Sequence, residues 1–595
     1  MTDLNSPGPW LAVLQFHPVL GDLDGNARRL AHQARAAWQQ GARLVLAPEL
    51  ALCGYPPEDL QLRPAFMQAC DDALGALARD LADCDGLHLA LGHPAPLPVP
   101  PSDFPQSRQQ PLCVNAASVL AGGQVLARAV KRELPNYQVF DERRYYASGF
   151  DLGLEPLVFT VNGVRVGLMI CEDAWFDRTG LLLRDAGAQV LAVLNASPFH
   201  LNKAQDREHR MADLARHCGL PVVYAHGIGG QDELVFDGAS FALDAQGKIT
   251  ARAPSFQEVT LLLSRAVAGT SGAGLAFAGD IAPLPDEDRQ IWDALVLGLR
   301  DYVDHNRFPS VLLGLSGGID SALVLALAVE ALGAARVRTV MMPSDYTADI
   351  SQSDAAIMAR RLGVRHDVVA IAPLVAPFEA SLAPLFEGRP LDATEENLQA
   401  RARGMVLMAL SNKLGGMVLT TGNKSEMATG YCTLYGDMAG GFAPLKDVCK
   451  TRVYRLSRWR NLQPAPPGLV LQPVRDDSVA HDPGHAHHGM AQHTWVIPDR
   501  IITRAPSAEL RPDQTDQDSL PPYEVLDDIL AHWMQDNRSI AEIVALGHKP
   551  EDVERITRLI KINEYKRRQS APGTRVTHRA FGRDWRYPIT SQFRA

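Results

Sequence analysis

Residues 310–332 read SVLLGLSGGIDSALVLALAVEAL. A short apolar run, Val311–Leu315, passes into Ser316-Gly317-Gly318-Ile319-Asp320-Ser321 and then into an apolar stretch of helical length. Strand, tight glycine turn and helix in direct succession are the opening of a βαβ unit, which predicts a doubly wound parallel sheet in an α/β domain. The turn carries chemistry as well. Its two glycines let backbone N–H groups approach phosphate oxygens, and the helix N-terminus adds a positive dipole end. Ser316 and Ser321 contribute hydroxyls, while Asp320, which would repel bare phosphate, implies Mg2+ in the cradle. The pattern is not GxxxxGK[ST], which argues against a Walker-type nucleotide hydrolase.

Outward from this turn the α/β alternation continues. A helix is predicted over Asp286–His305 and further strands at Arg338–Met342, His366–Ile371 and Met417–Thr421. The segment 463–494 is rich in Pro, His and Asp and reads as a long surface loop or insertion. Its His481, His485, His487, His488 and His493 match no standard metal-ligand spacing, so the stretch reads as a solvated loop. On the N-terminal side, AVAGTSGAGLAFAGDIAPLP (266–285) is rich in Gly, Ala and Pro and reads as an interdomain linker. Two domains follow, 1–265 and 286–595. In the first, strands are predicted at Leu11–Phe16, Leu44–Ala47, Leu87–Gly92, Val114–Leu120, Val164–Ile170, Val190–Leu194 and Val222–Ala225, with helices such as Asn26–Gln40 and Gln205–Cys218 between them.

Three reactive residues stand where those strands end. Glu49 follows LVLA, Lys131 follows VLARAV, and Cys171 follows VGLMI. Loops after strands are where α/β folds build sites. A carboxamide resists attack, so its hydrolysis needs an activated nucleophile, a base and a stabiliser for the oxyanion. A thiol attacks as thiolate, a form favoured by a nearby ammonium. Glu49 is read as the base, Lys131 and the Glu172 backbone N–H as oxyanion donors, and Cys171 as the nucleophile of a thioester pathway. Cys53, Cys70, Cys84, Cys113, Cys218, Cys432 and Cys449 have no comparable setting and are read as structural.

Composition narrows the classes. Hydrophobic residues make up 46% and charged residues 21% of 595, an ordinary globular balance. A net charge of −10 argues against a general nucleic-acid surface. No apolar run reaches bilayer length, and the N-terminus lacks the basic start and apolar stretch of a signal peptide. Eight cysteines without a CxxC pair suggest neither zinc nor a disulfide framework and fit a reducing cytoplasm.

The flanks of the three residues carry a family resemblance. PELALCGYPPEDL, KRELPNYQVFDERRYYASG and MICEDAW resemble the Glu, Lys and Cys motifs of the nitrilase/amidase superfamily, most closely the glutaminase domains of NAD synthetases. The resemblance runs over roughly residues 10–265. It implies a four-layer α-β-β-α sandwich with Glu49, Lys131 and Cys171 as catalytic triad and Glu142 as a supporting glutamate. It also implies that Tyr55, Tyr137, Glu172, Ser197 and Lys203 hold glutamine.

SGGIDS in turn resembles the loop of the N-type ATP pyrophosphatases, which split ATP between the α- and β-phosphates and adenylate a substrate oxygen. The segments 286–462 and 496–593 are similar to NAD synthetase domains, with the Rossmann-like sheet of the adenine nucleotide alpha hydrolase type. The resemblance implies that ATP is held by Ser316, Gly317, Gly318, Asp320, Ser321, Thr421, Lys450 and Ser507. It places the metal on Asp320 and Glu426 and deamido-NAD on Asn397, Arg401, Arg403, Asp437 and Lys566, and the basic tail with Lys566, Arg567 and Arg568 is expected to help bind the dinucleotide or to seal the site. One departure is Gln517 in TDQDSLPPY, where many relatives carry a carboxylate.

Together the halves imply a ligase. Glutamine supplies ammonia, a NAD-adenylate forms from deamido-NAD and ATP with Mg2+, and NAD, AMP, pyrophosphate and glutamate result. No tightly bound organic cofactor, nucleic acid or membrane is expected, and the resemblance implies a homo-oligomer. Because ammonium cannot attack a carbonyl, a shielded passage between the two sites is also expected.

Overall fold

Along β1 (Pro9–Gln15) successive residues point to two different cores. Leu11 and Val13 enter one apolar cluster, Ala12 and Leu14 another. A strand that is apolar on both faces needs a cover on each side, and this requirement sets the layering of the N-terminal half. The computed structural model describes residues 8–98, 113–267, 275–466, 468–474, 495–512, 514–518 and 520–592. They divide into two compact units, with the boundary between Asp286 and Glu287.

In the first unit β1 is followed by β2 (Leu44–Leu46), β3 (His88–Pro96), β4 (Cys113–Ala121) and β5 (Gln124–Val130). Then come β6 (Val158–Val161), β7 (Val164–Ile170), β8 (Val190–Asn195), β9 (Val222–His226) and the hairpin of β10 (Ile228–Gln231) with β11 (Leu234–Asp237). β12 (Phe241–Leu243), β13 (Ile249–Arg252), β14 (Val259–Val267) and β15 (Leu275–Ala278) complete the set. One sheet has the order β15-β14-β1-β2-β3-β4-β5 and the other β13-β12-β9-β8-β7-β6. Their facing sides share a core that includes Leu11, Val13, Leu168, Ile170, Ala192 and Leu194. The helices α1 (Leu23–Gln39) and α2 (Pro64–Asp80) cover the outer face of the first sheet. The helices α3 (Asp177–Asp185) and α4 (Lys203–Cys218) cover the second, giving the α-β-β-α sandwich.

The linker expected over 266–285 is corrected here. β15 pairs antiparallel with β14, Ser264 lying opposite Ala278, and Phe277 is buried against Trp10 with ring centroids 5.6 Å apart. The run LAFA therefore adds an edge strand to the first sheet, because one aromatic side chain in a small-residue stretch is enough to anchor it in the core. Residues 268–274 of that stretch lie outside the described residues.

The second unit is built on β16 (Val311–Gly314), β17 (Val337–Met341), β18 (Arg365–Val368) and β19 (Met417–Leu419), all parallel and in the order β18-β17-β16-β19. The chain steps from β16 to β17 on one side and returns with β19 on the other, so a topological switch point lies at the end of β16. Around the sheet are α5 (Glu287–His305), α6 (Ile319–Leu332), α7 (Asp349–Leu362), α8 (Ala372–Phe386) and α9 (Ala393–Leu414). α6 is apolar on every side and is buried accordingly. Two further helices, α10 (Lys424–Thr429) and α11 (Lys450–Leu462), precede a C-terminal helical cluster that includes Tyr523–Met534 and Pro550–Ile562. The five histidines of 481–493 lie outside the described residues. Among the described residues no helix is long and apolar enough to cross a membrane.

Candidate active sites

Glu49 stands three residues beyond β2, while Lys131 and Cys171 directly follow β5 and β7. The Lys131 ammonium donates to Glu49 Oε1 at 2.8 Å and to Glu142 Oε1 at 2.8 Å. Glu49 also accepts from the Asn115 side-chain amide at 2.7 Å and the Ala196 backbone N–H at 3.2 Å. The Tyr55 hydroxyl donates to Glu142 Oε1 at 3.0 Å. All of these side chains are buried. Gly92 on β3 makes the packing feasible, since a Cβ there would lie 2.6 Å from Glu49 Cα.

Cys171 has φ +48°, a left-handed backbone that a non-glycine residue adopts at a cost and that recurs where a side chain must be presented for reaction. It opens a short turn, Cys171–Trp175. The Asp173 carboxylate fixes that turn by accepting from the backbone N–H groups of Arg132 and Glu133, both at 2.8 Å, and of Ile170 at 3.1 Å. The same carboxylate thereby ties the cysteine turn to the segment that carries Lys131.

The electrostatics separate the roles. Burial pushes the Cys171 thiol well above its ordinary range, with Glu49 adding to the shift and Lys131 opposing it, so the resting thiol is neutral. Burial works against the Lys131 charge, but the carboxylates of Glu142 and Glu49 outweigh it and hold the ammonium protonated. Burial pushes Glu142 up to about 7 against the pull of Lys131.

In the second unit the turn after β16 needs its first glycine. Gly317 has φ +81°, and a Cβ there would meet the Ser351 carbonyl oxygen at 2.3 Å. Ser316 Oγ accepts from the Gly318 N–H at 3.2 Å, and Ser321 Oγ donates to the Gly318 carbonyl at 2.9 Å, so the two serines brace the loop. Lys450 Nζ lies 2.5 Å from Asp320 Oδ2 and 3.2 Å from Glu426 Oε1. The Asn423 amide holds the other Asp320 oxygen at 2.9 Å. Burial, opposed by Lys450 and reinforced by Asp320, pushes the Glu426 carboxyl up to about 8. Asp320, Glu426, Lys450, Ser507 and Asp516 line one cleft. An adjoining cleft shares Ser316, Thr421 and Asp437 with it but is also lined by Met341, Leu407, Leu419 and Arg403. A polar lobe and an apolar lobe thus meet at the switch point.

Comparison with known proteins gives the same division. A family model described as "Carbon-nitrogen hydrolase" matches residues 10–269 and one described as "NAD synthase" matches residues 291–570. The chain is 45% identical to a glutamine-dependent NAD(+) synthetase of Xanthomonas campestris pv. campestris, over 98% of this chain and 97% of that one. It is 43% identical to the one of Acinetobacter baylyi, over 98% of both. Among solved structures, a glutamine-dependent NAD+ synthetase of Acinetobacter baumannii in complex with ADP superposes with a TM-score of 0.72 at 42% identity, covering 97% of this chain and 98% of that one. The chain belongs to the glutamine-dependent NAD(+) synthetase family.

Of the residues singled out in the sequence for the second unit, Ser316, Gly318, Asp320, Ser321, Thr421, Arg403, Glu426, Asp437, Lys450 and Ser507 line one or both of its clefts. Tyr55 and Glu49 line a cleft with Phe236. The Tyr137 hydroxyl donates to Glu172 Oε1 at 2.9 Å, and the Lys203 ammonium lies 4.2 Å above the Trp175 ring. Ser197 is turned inward instead, its hydroxyl 3.0 Å from the Asn195 amide and 3.4 Å from His226 Nε2. Asn397 accepts from the Thr433 hydroxyl at 2.8 Å, Arg401 donates to the Leu434 carbonyl at 3.3 Å, and Arg403 donates to the Met342 carbonyl at 3.1 Å. Asp437 accepts from the Thr433 N–H at 2.7 Å, and burial raises it to about 6.

The basic tail lies against the C-terminus of α10. Lys566 donates to the Gly430 and Cys432 carbonyls at 2.8 and 2.9 Å, and Arg567 to the Met427 and Ala428 carbonyls at 3.1 and 2.8 Å. Arg568 pairs with Glu564 at 2.9 Å. None of the three is among the residues lining either cleft. Lys566 and Arg567 cap the C-terminus of α10, whose last carbonyls have no helical partner, and α10 carries Glu426. Asp516 is the residue that sequence reasoning missed. It is buried in the polar lobe, where its carboxylate accepts from the Tyr523 hydroxyl at 2.7 Å, whereas Gln517 beside it is exposed. The acid that Gln517 lacks is therefore not missing from the cleft.

Proposed function

We propose that this chain amidates deamido-NAD to NAD with ATP and with nitrogen taken from glutamine, and that the two residue clusters divide the work. The observation that carries the reading is their coexistence on one chain. One is a buried Glu49–Lys131–Glu142 cluster in the unit that presents Cys171; the other is an Asp320–Lys450–Glu426 cluster at a sheet switch point.

In the first unit Glu49 takes the thiol proton as Cys171 Sγ attacks the glutamine carboxamide carbon. Lys131 and the Glu172 N–H receive the developing oxyanion. The C–N bond breaks, ammonia leaves with the proton from Glu49, and a thioester remains. Glu49 then deprotonates water, which displaces Sγ and frees glutamate.

In the second unit the backbone N–H groups of the 316–321 loop and the α6 N-terminus receive ATP phosphates, and the apolar lobe takes the adenosine. Asp320, Glu426 and Asp516 offer the all-oxygen set that suits Mg2+, which when bound would neutralise triphosphate charge. Lys450, paired with Asp320 and Glu426 in the nucleotide-free protein, would then be able to meet phosphate oxygens. The nicotinate carboxylate attacks the α-phosphorus and pyrophosphate leaves. Ammonia then attacks the acyl carbon of the NAD-adenylate, and AMP leaves.

The test is NAD formation from deamido-NAD and ATP with glutamine and ammonium compared as donors. Formation with both supports the reading; failure with both, in a folded protein with Mg2+ present, overturns it. Glutamine hydrolysis should also rise when ATP and deamido-NAD are both present, and equal rates would remove the coupling from the proposal.

A further inference from the structure

The helix Tyr523–Met534 carries Asp528 and His532 one turn apart, and His548, just before the helix Pro550–Ile562, completes a trio with them. One donor atom from each lies within 4.8 Å of the other two. A tetrahedral zinc ion with bonds of about 2.0–2.2 Å needs donors roughly 3.3 Å apart. The trio is close to that spacing before any rotamer adjusts. Asp528 Oδ2 lies 2.9 Å from His548 Nε2, and Oδ1 lies 3.8 Å from His532 Nε2.

Two features set the trio apart from a chance surface pairing. His532 Nδ1 is 2.8 Å from Asp536 Oδ2, and that carboxylate is held by Arg538 at 3.3 Å. A proton on Nδ1 directed at Asp536 leaves the Nε2 lone pair facing Asp528 and His548. This is the carboxylate–imidazole arrangement that orients histidine ligands in metal sites. The two imidazoles are also largely sheltered, at 22% and 14% exposure, while Asp528 is 57% exposed. The imidazoles are thus partly sheltered while the carboxylate stands open to solvent.

We propose that Asp528, His532 and His548 form a binding site for a zinc-class divalent cation, with Asp536 positioning His532. The ion would replace the proton shared between His548 and Asp528 and tie the helix Tyr523–Met534 to the turn before Pro550. That helix also carries Tyr523, which holds Asp516, and Asp527, which accepts from the Thr451 hydroxyl at 2.7 Å. The cation would therefore stiffen the wall of the polar lobe without touching substrate.

The experiment uses the full chain stripped with chelator. His481, His485, His487, His488 and His493 are replaced by Ala, because that stretch offers imidazoles of its own. Titration with Co2+ should give the intense visible bands of low-coordinate nitrogen ligation at one equivalent, and Zn2+ but not Mg2+ should abolish them. Oxygen-ligated Co2+ near Glu426 absorbs weakly and does not mimic them. His532→Gln and His548→Gln should each weaken the tight equivalent at least about 100-fold, and Asp536→Asn about 10–100-fold. NAD synthesis with Mg2+ should persist in all three. Should a histidine variant fail to fold, the exposed Asp528→Asn gives the same reading. No tight equivalent, or one that survives both histidine changes unaltered, overturns the proposal.

Discussion

Lys450 Nζ lies 2.5 Å from Asp320 Oδ2 and so joins the first turn of α6 to the first turn of α11. The pair is nearly dry on the lysine side, with 3% exposure against 17% for Asp320. Asp320 raises the affinity of Lys450 for its proton, as Glu426 does. One ammonium thus supplies positive charge to an acidic cleft.

Lys450→Met leaves Asp320, Glu426 and Asp516 facing each other without a cation. Removing one member of a buried pair costs about 3–5 kcal/mol, and the partial exposure of Asp320 puts this case at or below the lower end. Thermal unfolding should show a lower Tm than the parent. Mg2+ should restore more of that loss than it adds to the parent, because it supplies the missing charge. An unchanged Tm would show that the pair carries no weight in the nucleotide-free protein.

Glu426 gives stability a pH dependence. Its folded-state value of about 8 lies above the ordinary carboxylate value of 4.5, so the folded chain binds the extra proton between those limits. Its contribution is complete below pH 4.5 and is lost as the pH rises through 8, with a slope of up to about 1.4 kcal/mol per pH unit. Glu426→Gln should flatten the unfolding free energy of the nucleotide-free protein over that window. Chemical denaturation at several pH values measures it, and parallel curves for the two proteins would contradict the assignment.

Cys171→Ala should lower glutamine-driven NAD formation by about three orders of magnitude or more while leaving ammonium-driven formation within about twofold. The small side chain keeps the turn that Asp173 braces. Side-by-side initial rates decide the matter, and normal use of glutamine by the variant would remove Cys171 from its role.

Asp516 and Gln517 are neighbours with opposite expectations. Asp516→Asn takes a carboxylate from the polar lobe and should raise the Mg2+ concentration needed for half-maximal ammonium-driven synthesis about tenfold. Gln517→Ala, on an exposed position, should leave that concentration unchanged. A Mg2+ titration of both variants separates the two outcomes.

Much of the molecule was legible before folding was considered. Cys171, Lys131 and the 316–321 turn each follow an apolar run directly. A strand followed by a loop and a helix is a local pattern whose meaning depends on contiguous residues. Glu49 was read at the end of such a run, whereas Glu426 was singled out only through the resemblance of TTGNKSE to a known motif. Ser197 and Lys566 show the limit. Both are polar groups in segments similar to known sites, and both spend their hydrogen bonds inside the protein, Ser197 on Asn195 and His226, Lys566 on the carbonyls after α10. Charge and motif position do not say which way a side chain turns.

The α/β alternation and many of the individual strands and helices follow from the sequence alone, because hydrophobic period and turn chemistry act over a few residues. Tertiary structure decided that Asp516 rather than Gln517 faces the cleft, that Phe277 pulls a Gly- and Ala-rich stretch into a sheet edge, and that Lys450 neutralises Asp320. Those pairings are chosen by burial, where an unpaired charge or an exposed aromatic face is costly, and burial exists only once distant segments have packed.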